Sequence, residues 1–450
     1  MNNFEKISVI GNGLSAWMMC AFMAKQLANT NTKITMYVGV KAEPVVGLQS
    51  PLPLFNDFLS AIDISAADLK EAGFNPKLGT AYLFDNKNPF FHIWGQYGAP
   101  IGPIEFYQVL QRYKQLGQNV DINRLSIGAA SVLANRFQQP TANPLSIFST
   151  YESSFSFETE AFLNLLKKVV IECGVEISEE QVVALSVGEH CYVRSESDIP
   201  QICDYLINTV PGLIDEDEST TSWFVDLPVE LASTVNQRNV LSSLVNKVKV
   251  LDESAWLCEI THGGRAILNQ YRLSSRDSDD IYVHRKPRAC RYLNFGPAMA
   301  KMYSPLFSSI DLDLIAFKLL LQYFPNPMDS DSVVNQYNRA LISAFENLRD
   351  ITQLCLHELI ANKNLDDEGV PLSDQAIYKA RLFRARSRYP LFENEFFKRD
   401  WQIWLLLGLG FECEDVEPMV SSIDIDVIKE HVNKIENSVM KTLPLIPLAD

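Results

Sequence analysis

The sequence predicts an α/β fold with an interleaved β layer, followed by a mostly helical region. Three observations carry that reading. Ile7, Val9 and Ile10 form a short apolar run that breaks at Gly11-Asn-Gly13-Leu-Ser-Ala16-Trp17, and an apolar helical pattern continues from there to Leu27. Between Val240 and Ser274 the pattern suggests an antiparallel β layer. Beyond Gly296 the apolar spacing becomes helical almost throughout.

The opening is the strand–turn–helix of a Rossmann-like module. Gly11 permits a tight turn and Gly13 lets the backbone approach a pyrophosphate. The helix start then directs unpaired N–H groups and a positive dipole end at that charge. The third position of the fingerprint is Ala16 rather than glycine, a change the fingerprint tolerates at some cost in helix–strand closeness. Ile34–Val38 reads as the second strand of the βαβ unit. Val38 stands where a ribose-binding acid is usual, and the nearest acid is Glu43. Leu52–Lys70 has helical spacing with Ser65 as a cap, and Thr80–Phe84 is strand-like. Phe90–Pro100 is aromatic and glycine-rich, which suggests a site-lining loop. Phe155–Phe157 alternates as a strand, and Thr159–Cys173 is an amphipathic helix closed by Gly174. Strands are expected at Val182–Val187 and Tyr205–Val210, with Asp215–Thr221 an exposed acidic loop. Helices are expected at Ile310–Phe324, Val333–Leu359, Ser373–Ser387, Trp401–Leu407 and Ile425–Met440. The boundary is drawn near residue 330: a discontinuous α/β module with inserted β layer over 1–330, and a mostly helical substrate-side module over 331–450.

Composition narrows the function. The chain has 450 residues, 47% hydrophobic and 21% charged, with a net charge of −16. Such an acidic balance disfavours nucleic acid and anionic membrane as partners. No apolar run has transmembrane length and Met1–Lys6 lacks a basic signal-type start, so a cytoplasmic location is expected. The eight cysteines are scattered without a C-x-x-C pair, and no His/Cys cluster has metal-ligand spacing, so free thiols and no metal are expected.

Several stretches together resemble the flavin-dependent tryptophan halogenase family. Gly11-Asn-Gly13-Leu-Ser-Ala16-Trp17-Met resembles its G-x-G-x-x-G-W-M opening. Lys77-Leu-Gly79, followed by Phe91-His92-Ile-Trp-Gly95, resembles the segment that carries the catalytic lysine. Phe157-Glu-Thr159 and Trp256-Leu-Cys258-Glu-Ile260-Thr261 resemble two further landmarks, the second a degraded W-x-W-x-I-P. Gly296 through Ser304-Pro305-Leu306-Phe307-Ser308-Ser309 resembles the G-L-A-A-G-F-L-E-P-L-E-S-T run. Arg349-Asp350 and Trp401 with Gly408-Leu-Gly410 resemble landmarks of the helical part.

The resemblance implies a single-component FAD-binding fold, with reduced FAD supplied by a separate flavin reductase. It also implies oxygen and halide as co-substrates, an aromatic small-molecule or peptide substrate, and a homodimer as an allowed state. Gly11, Gly13, Leu14, Ser15, Ala16, Trp17 and Gly47 would contact FAD, and Gly296 would lie near the flavin ring. Lys77 would hold the hypohalous oxidant, and Ser308 and Ser309 would lie at the halide. A buried lysine suits that role, because desolvation lowers its pKa. The departures are specific. Tyr303 or Ser304 replaces the glutamate before proline, Leu48 replaces a glutamate after Gly47, and Cys258 and Thr261 alter the W-x-W-x-I-P run. A family paralogue without turnover, serving as a flavin- or ligand-binding accessory protein, is therefore the second reading. An NAD-dependent dehydrogenase is disfavoured by Val38, and a hydrolase by the lack of a G-x-S-x-G elbow beside His262-Gly263-Gly264. Phe90, Phe91, Trp94 and Tyr97 stack on an aromatic substrate or pack the core; His92 is a structural histidine or a base; Trp401 and Trp404 are read as core.

Overall fold

The computed structural model describes residues 4–40, 47–85, 87–188, 190–197, 199–214, 229–238, 240, 243–252, 254–273, 281–360 and 370–449. The architecture is mixed α/β, as expected, and falls into two compact units. The first takes residues 1–75, 156–226 and 276–346; the second takes 76–155, 227–275 and 347–450. This differs from a boundary near 330. Strands far apart in sequence complete one another's sheets, so the division follows pairing and not chain order.

In the first unit a seven-stranded sheet runs in the order Gln201–Cys203, Cys191–Ser195, Glu176–Val187, Lys33–Gly39, Lys6–Ile10, Tyr205–Asn208, Tyr292–Asn294. Lys6–Ile10 lies between two parallel neighbours, with Val9 opposite Met36 on one side and Ile207 on the other. A strand covered on both faces should be apolar, and Ile7, Val9 and Ile10 are buried. The helix Leu14–Gln26 is buried from Ala16 to Ala24 because it packs against the helices Thr159–Glu172, Phe55–Ala61 and Ser309–Gln322. Phenylalanines lock this layer: Phe22 meets Phe317 edge-on at 4.4 Å, Phe58 meets Phe317 at 5.0 Å, and Phe74 stacks on Phe157 at 4.5 Å. Ser65 caps the helix Ala66–Glu71 in a reciprocal box with Asp68. The helical pattern of 52–70 is broken between the two helices, at Asp63 with φ 57°. Asp215–Thr221 and Glu43 lie outside the described residues.

In the second unit a six-stranded sheet runs Val229–Arg238, Arg265–Leu273, Ala255–His262, Val245–Val250, Gly79–Phe84, Lys87–Ile93. The expected β layer is antiparallel within 245–273, and its strand Val245–Val250 then pairs parallel with Gly79–Phe84. Phe90–Ile93, expected in a loop, is strand. Phe90 faces Tyr82, and Phe91 faces Ala81. The helix Arg399–Leu409 packs on that strand, and Gly408 is where the approach is tightest: a Cβ there would meet the Phe90 ring at 2.1 Å. The expected helices of the C-terminal part appear as Asp374–Arg386, Arg399–Leu409 and Ile425–Thr442. Among the described residues no helix is long and apolar enough to cross a membrane.

Gly408→Ala forces a methyl into the Phe90 ring, and overpacking of this kind costs about 1–3 kcal/mol. Urea unfolding is expected to show that loss; an unchanged midpoint would contradict the packing described.

Candidate functional site

The glycine-containing turn after Ile10 lies among the ends of three parallel strands. Gly11 has φ 144°, and a Cβ on it would meet Thr209 Oγ1 at 1.9 Å and Ala16 Cβ at 2.8 Å. Both conformation and space therefore exclude a side chain. Its N–H donates to Tyr37 O at 3.1 Å, and Thr209 Oγ1 donates to Ile10 O at 2.9 Å. Gly13 is different. It is the N-cap of the helix, with φ −81° and no side-chain acceptor for the helix N–H groups, and a Cβ there would meet nothing within 4 Å. Among the described residues nothing requires glycine at that position. The space beside it and the uncapped helix start form a cradle suited to an anionic group.

Around this cradle, Ser15 donates to Asp313 Oδ2 at 2.5 Å, and Gly296, with φ 59°, is held so close that a Cβ would meet Ser15 Cβ at 2.4 Å. Asp313 and Asp311 are buried. Desolvation pushes the Asp313 carboxyl up to about 7 and Asp311 to about 6. Sequence reasoning passed over both; the signal was two acids inside an apolar helical run, Ile310-Asp-Leu-Asp313-Leu. Gly47 has φ 137°, and its carbonyl accepts from Thr159 N at 3.0 Å and Thr159 Oγ1 at 2.9 Å. Trp17 is buried, its Nε1 directed to Asn12 Oδ1 at 3.3 Å and Lys167 Nζ 5.5 Å from its ring. Leu14 stays partly exposed in the first turn.

Lys77 belongs to the second unit and is fully buried. Leu78 N–H donates to Leu244 O at 2.7 Å, which aligns Lys77 with Ser243. Its Nζ donates to the Ser243 carbonyl and, at 3.2 Å, to Thr261 Oγ1. Its pKa falls from 10.5 to about 7, chiefly through burial and also through the Lys247 charge, with Glu259 opposing. An amine so placed is partly neutral near pH 7.

The aromatic segment after Lys77 is core. Phe90, Trp94 and Tyr97 are buried, and Tyr97 lies 4.9 Å from Trp404. His92 donates through Nε2–H to Trp401 O at 2.8 Å and stacks on Phe397. Its pKa falls to about 4, because burial disfavours the cation. A neutral, hydrogen-bonded histidine is structural. Trp401 and Trp404 are buried as expected, and Phe91 is half-buried.

The family model for tryptophan halogenase matches residues 6–196 and 294–424. The chain belongs to this family. Among solved structures it is similar to a flavin-dependent halogenase from Brevundimonas sp. BAL3, with TM-score 0.87, 17% identity, and 99% of this chain and 98% of that one covered. It is also similar to a flavin-dependent halogenase from Xanthomonas campestris (0.87, 17%, covering 99% and 97%). A tryptophan 6-halogenase from Streptomyces toxytricini gives 0.84 at 13% identity, covering 99% and 98%. At these identities the structures establish a common fold. No curated protein matches by sequence.

The departures from the tryptophan halogenase pattern have structural counterparts. Ser308 caps the helix Ser309–Gln322, and its N–H and hydroxyl both go to Asp311 Oδ2, at 2.8 and 3.0 Å. A halide at Ser308 would have to displace that carboxylate; Ser309 is exposed. Ser304 Oγ accepts from Leu306 N at 3.1 Å, and Tyr303 has Lys301 Nζ 5.7 Å from its ring, so neither position brings a carboxylate. Leu48 is buried directly opposite Glu158 in an antiparallel pair.

The lysine provides a test by linkage. Its folded pKa of about 7 lies below the unfolded value of 10.5, so between these values the unfolded chain binds more protons. Stability conferred at this site is therefore lowest below pH 7 and rises as pH climbs toward 10. Unfolding free energies at stepped pH should rise more steeply for the wild type than for Lys77→Met. Equal slopes would show that the amine is not desolvated.

Proposed function

We propose that this tryptophan halogenase family member is a flavin-dependent oxidoreductase acting on an indole or other aromatic group, free or carried on a peptide. The observation that carries the reading is Gly13: a glycine that the fold does not need, at an uncapped helix start, beside open space. Gly11, Gly13 and the first turn Leu14-Ser15-Ala16 would hold the FAD diphosphate, with Gly47 and Gly296 against other parts of the cofactor and Trp17 supporting the turn from behind. Bound reduced FAD, delivered by a separate flavin reductase, supplies with oxygen the oxidation of halide.

The protein's own contributions are then binding and positioning. Backbone N–H groups at the helix start balance the diphosphate charge. Asp313, with its raised pKa, reduces the repulsion that a fully ionised carboxylate beside Ser15 would impose. Lys77, dry and partly neutral, offers a lone pair or an N–H donor to the oxidant. Tyr303 and Ser304 bring no carboxylate, and loss of a positioned acid/base group typically costs about 10²–10⁴-fold. Chlorination is accordingly expected to be slow, with bromination or oxygenation as alternatives.

Titration of the purified protein with FAD, followed by fluorescence, is expected to show saturable binding. Gly13→Ser should leave the melting temperature unchanged, since serine is a good N-cap, yet weaken FAD binding by at least about tenfold. In a reductase-coupled assay with bromide or chloride and a panel of indoles, Lys77→Ala should abolish product while retaining FAD. Absence of saturable FAD binding would overturn the proposal; binding without product on any substrate would favour the accessory reading.

A further inference from the structure

Lys77 is held by a hydroxyl from a strand far away in the sequence, that of Thr261. Thr261 lies near the end of the strand Ala255–His262 and is buried. Its Oγ1 accepts from Ser243 N at 3.1 Å and lies 3.2 Å from Lys77 Nζ, while the Ser243 carbonyl takes the same amine. One hydroxyl thus joins three chain segments: the approach to the strand Gly79–Phe84, the approach to Val245–Val250, and the strand Ala255–His262.

The surrounding charges leave orientation to these two oxygen partners. The alternation of a strand puts Glu259 on the same face as Thr261, one repeat away, and Lys247 sits directly opposite Glu259. Glu259 is taken by Lys247, Nζ to Oε1 at 2.5 Å. Among the described residues no ion pair reaches Lys77 itself. A lysine held by an ion pair would be fixed as a cation; one held by a carbonyl and a hydroxyl keeps its position in either protonation state.

We propose that Thr261 is a positioning residue for Lys77, fixing the amine where it acts. The catalytic half of this inference rests on the reading of Lys77 given under the proposed function; the physical half does not. Without the hydroxyl, a four-carbon side chain with one anchor regains rotational freedom, and the charged form loses an acceptor.

The test compares Thr261→Val, which keeps shape and removes the hydroxyl, with Thr261→Ser, which keeps the hydroxyl. The titration of Lys77 is followed by NMR in protein labelled at the lysine side chains, with Lys77→Met assigning the signal. Thr261→Val should lower the Lys77 midpoint by about one unit, since a hydrogen bond to the charged form is lost. It should also lower kcat about tenfold with KM little changed, the scale of one lost hydrogen bond to an ionisable group. Thr261→Ser should restore both. An unmoved midpoint in folded Thr261→Val, or equal losses in the valine and serine variants, would overturn the proposal. Should Thr261→Val fail to fold, Thr261→Ser and Thr261→Cys decide it: serine should retain the wild-type midpoint and cysteine lower it, and identical midpoints would overturn the inference. Full turnover in Lys77→Met would sink the proposed function, while the NMR result would still settle whether Thr261 holds the amine.

Discussion

The absence of a single Cβ governs the first unit. At Gly11 the opening strand ends, its N–H ties to Tyr37 on one neighbouring strand, and the space a side chain would take is occupied by Thr209 from the other. Ala16 closes the same gap from the helix. This pinch sets the angle at which the helix leaves the sheet, and so where its positive end points. The phenylalanine layer that includes Phe22, Phe58 and Phe317 then holds the helix in place. The two glycines of the turn differ: protein contacts exclude a side chain at Gly11, whereas among the described residues none would obstruct a Cβ at Gly13.

What could be read from the sequence was what is encoded locally. The opening strand, turn and helix announce themselves through three buried residues and two glycines within a dozen positions, and the C-terminal helices through their spacing. The Ser65 cap was legible for the same reason, since its partner is only three residues on. The division into units was not, because it depends on strands pairing across long stretches of chain. Nor were the partners of Lys77, which lie 166 and 184 residues away. The segment Phe90–Ile93 looked like a loop because aromatic and glycine content masked its alternation; pairing with Gly79–Phe84 reveals a strand.

Buried ionisable groups distinguish this chain more than its exposed charge does. Asp311 and Asp313 sit on a helix that is otherwise almost wholly apolar, and each is tied to a serine or a backbone N–H of its own unit. Their cost in desolvation is offset by those bonds and by carriage of a proton near neutrality. In the second unit Lys77 follows the same logic with opposite sign. His92, similarly buried, shows the contrast: its partner is the Trp401 carbonyl and its ring is packed on Phe397, so its burial serves the helix Arg399–Leu409 rather than chemistry.

Each unit is assembled from three separated stretches of chain. On the ribosome, the first unit cannot be completed before residue 346 has emerged, and the second waits for residues beyond 347. Two incomplete sheets with unpaired edges must therefore persist together in the nascent chain, and closing such long loops is entropically slow. Neither half of the gene encodes a self-sufficient body. A cut at any point before residue 292 would leave the seven-stranded sheet without its edge strand Tyr292–Asn294, although the glycine turn of the opening strand is already made.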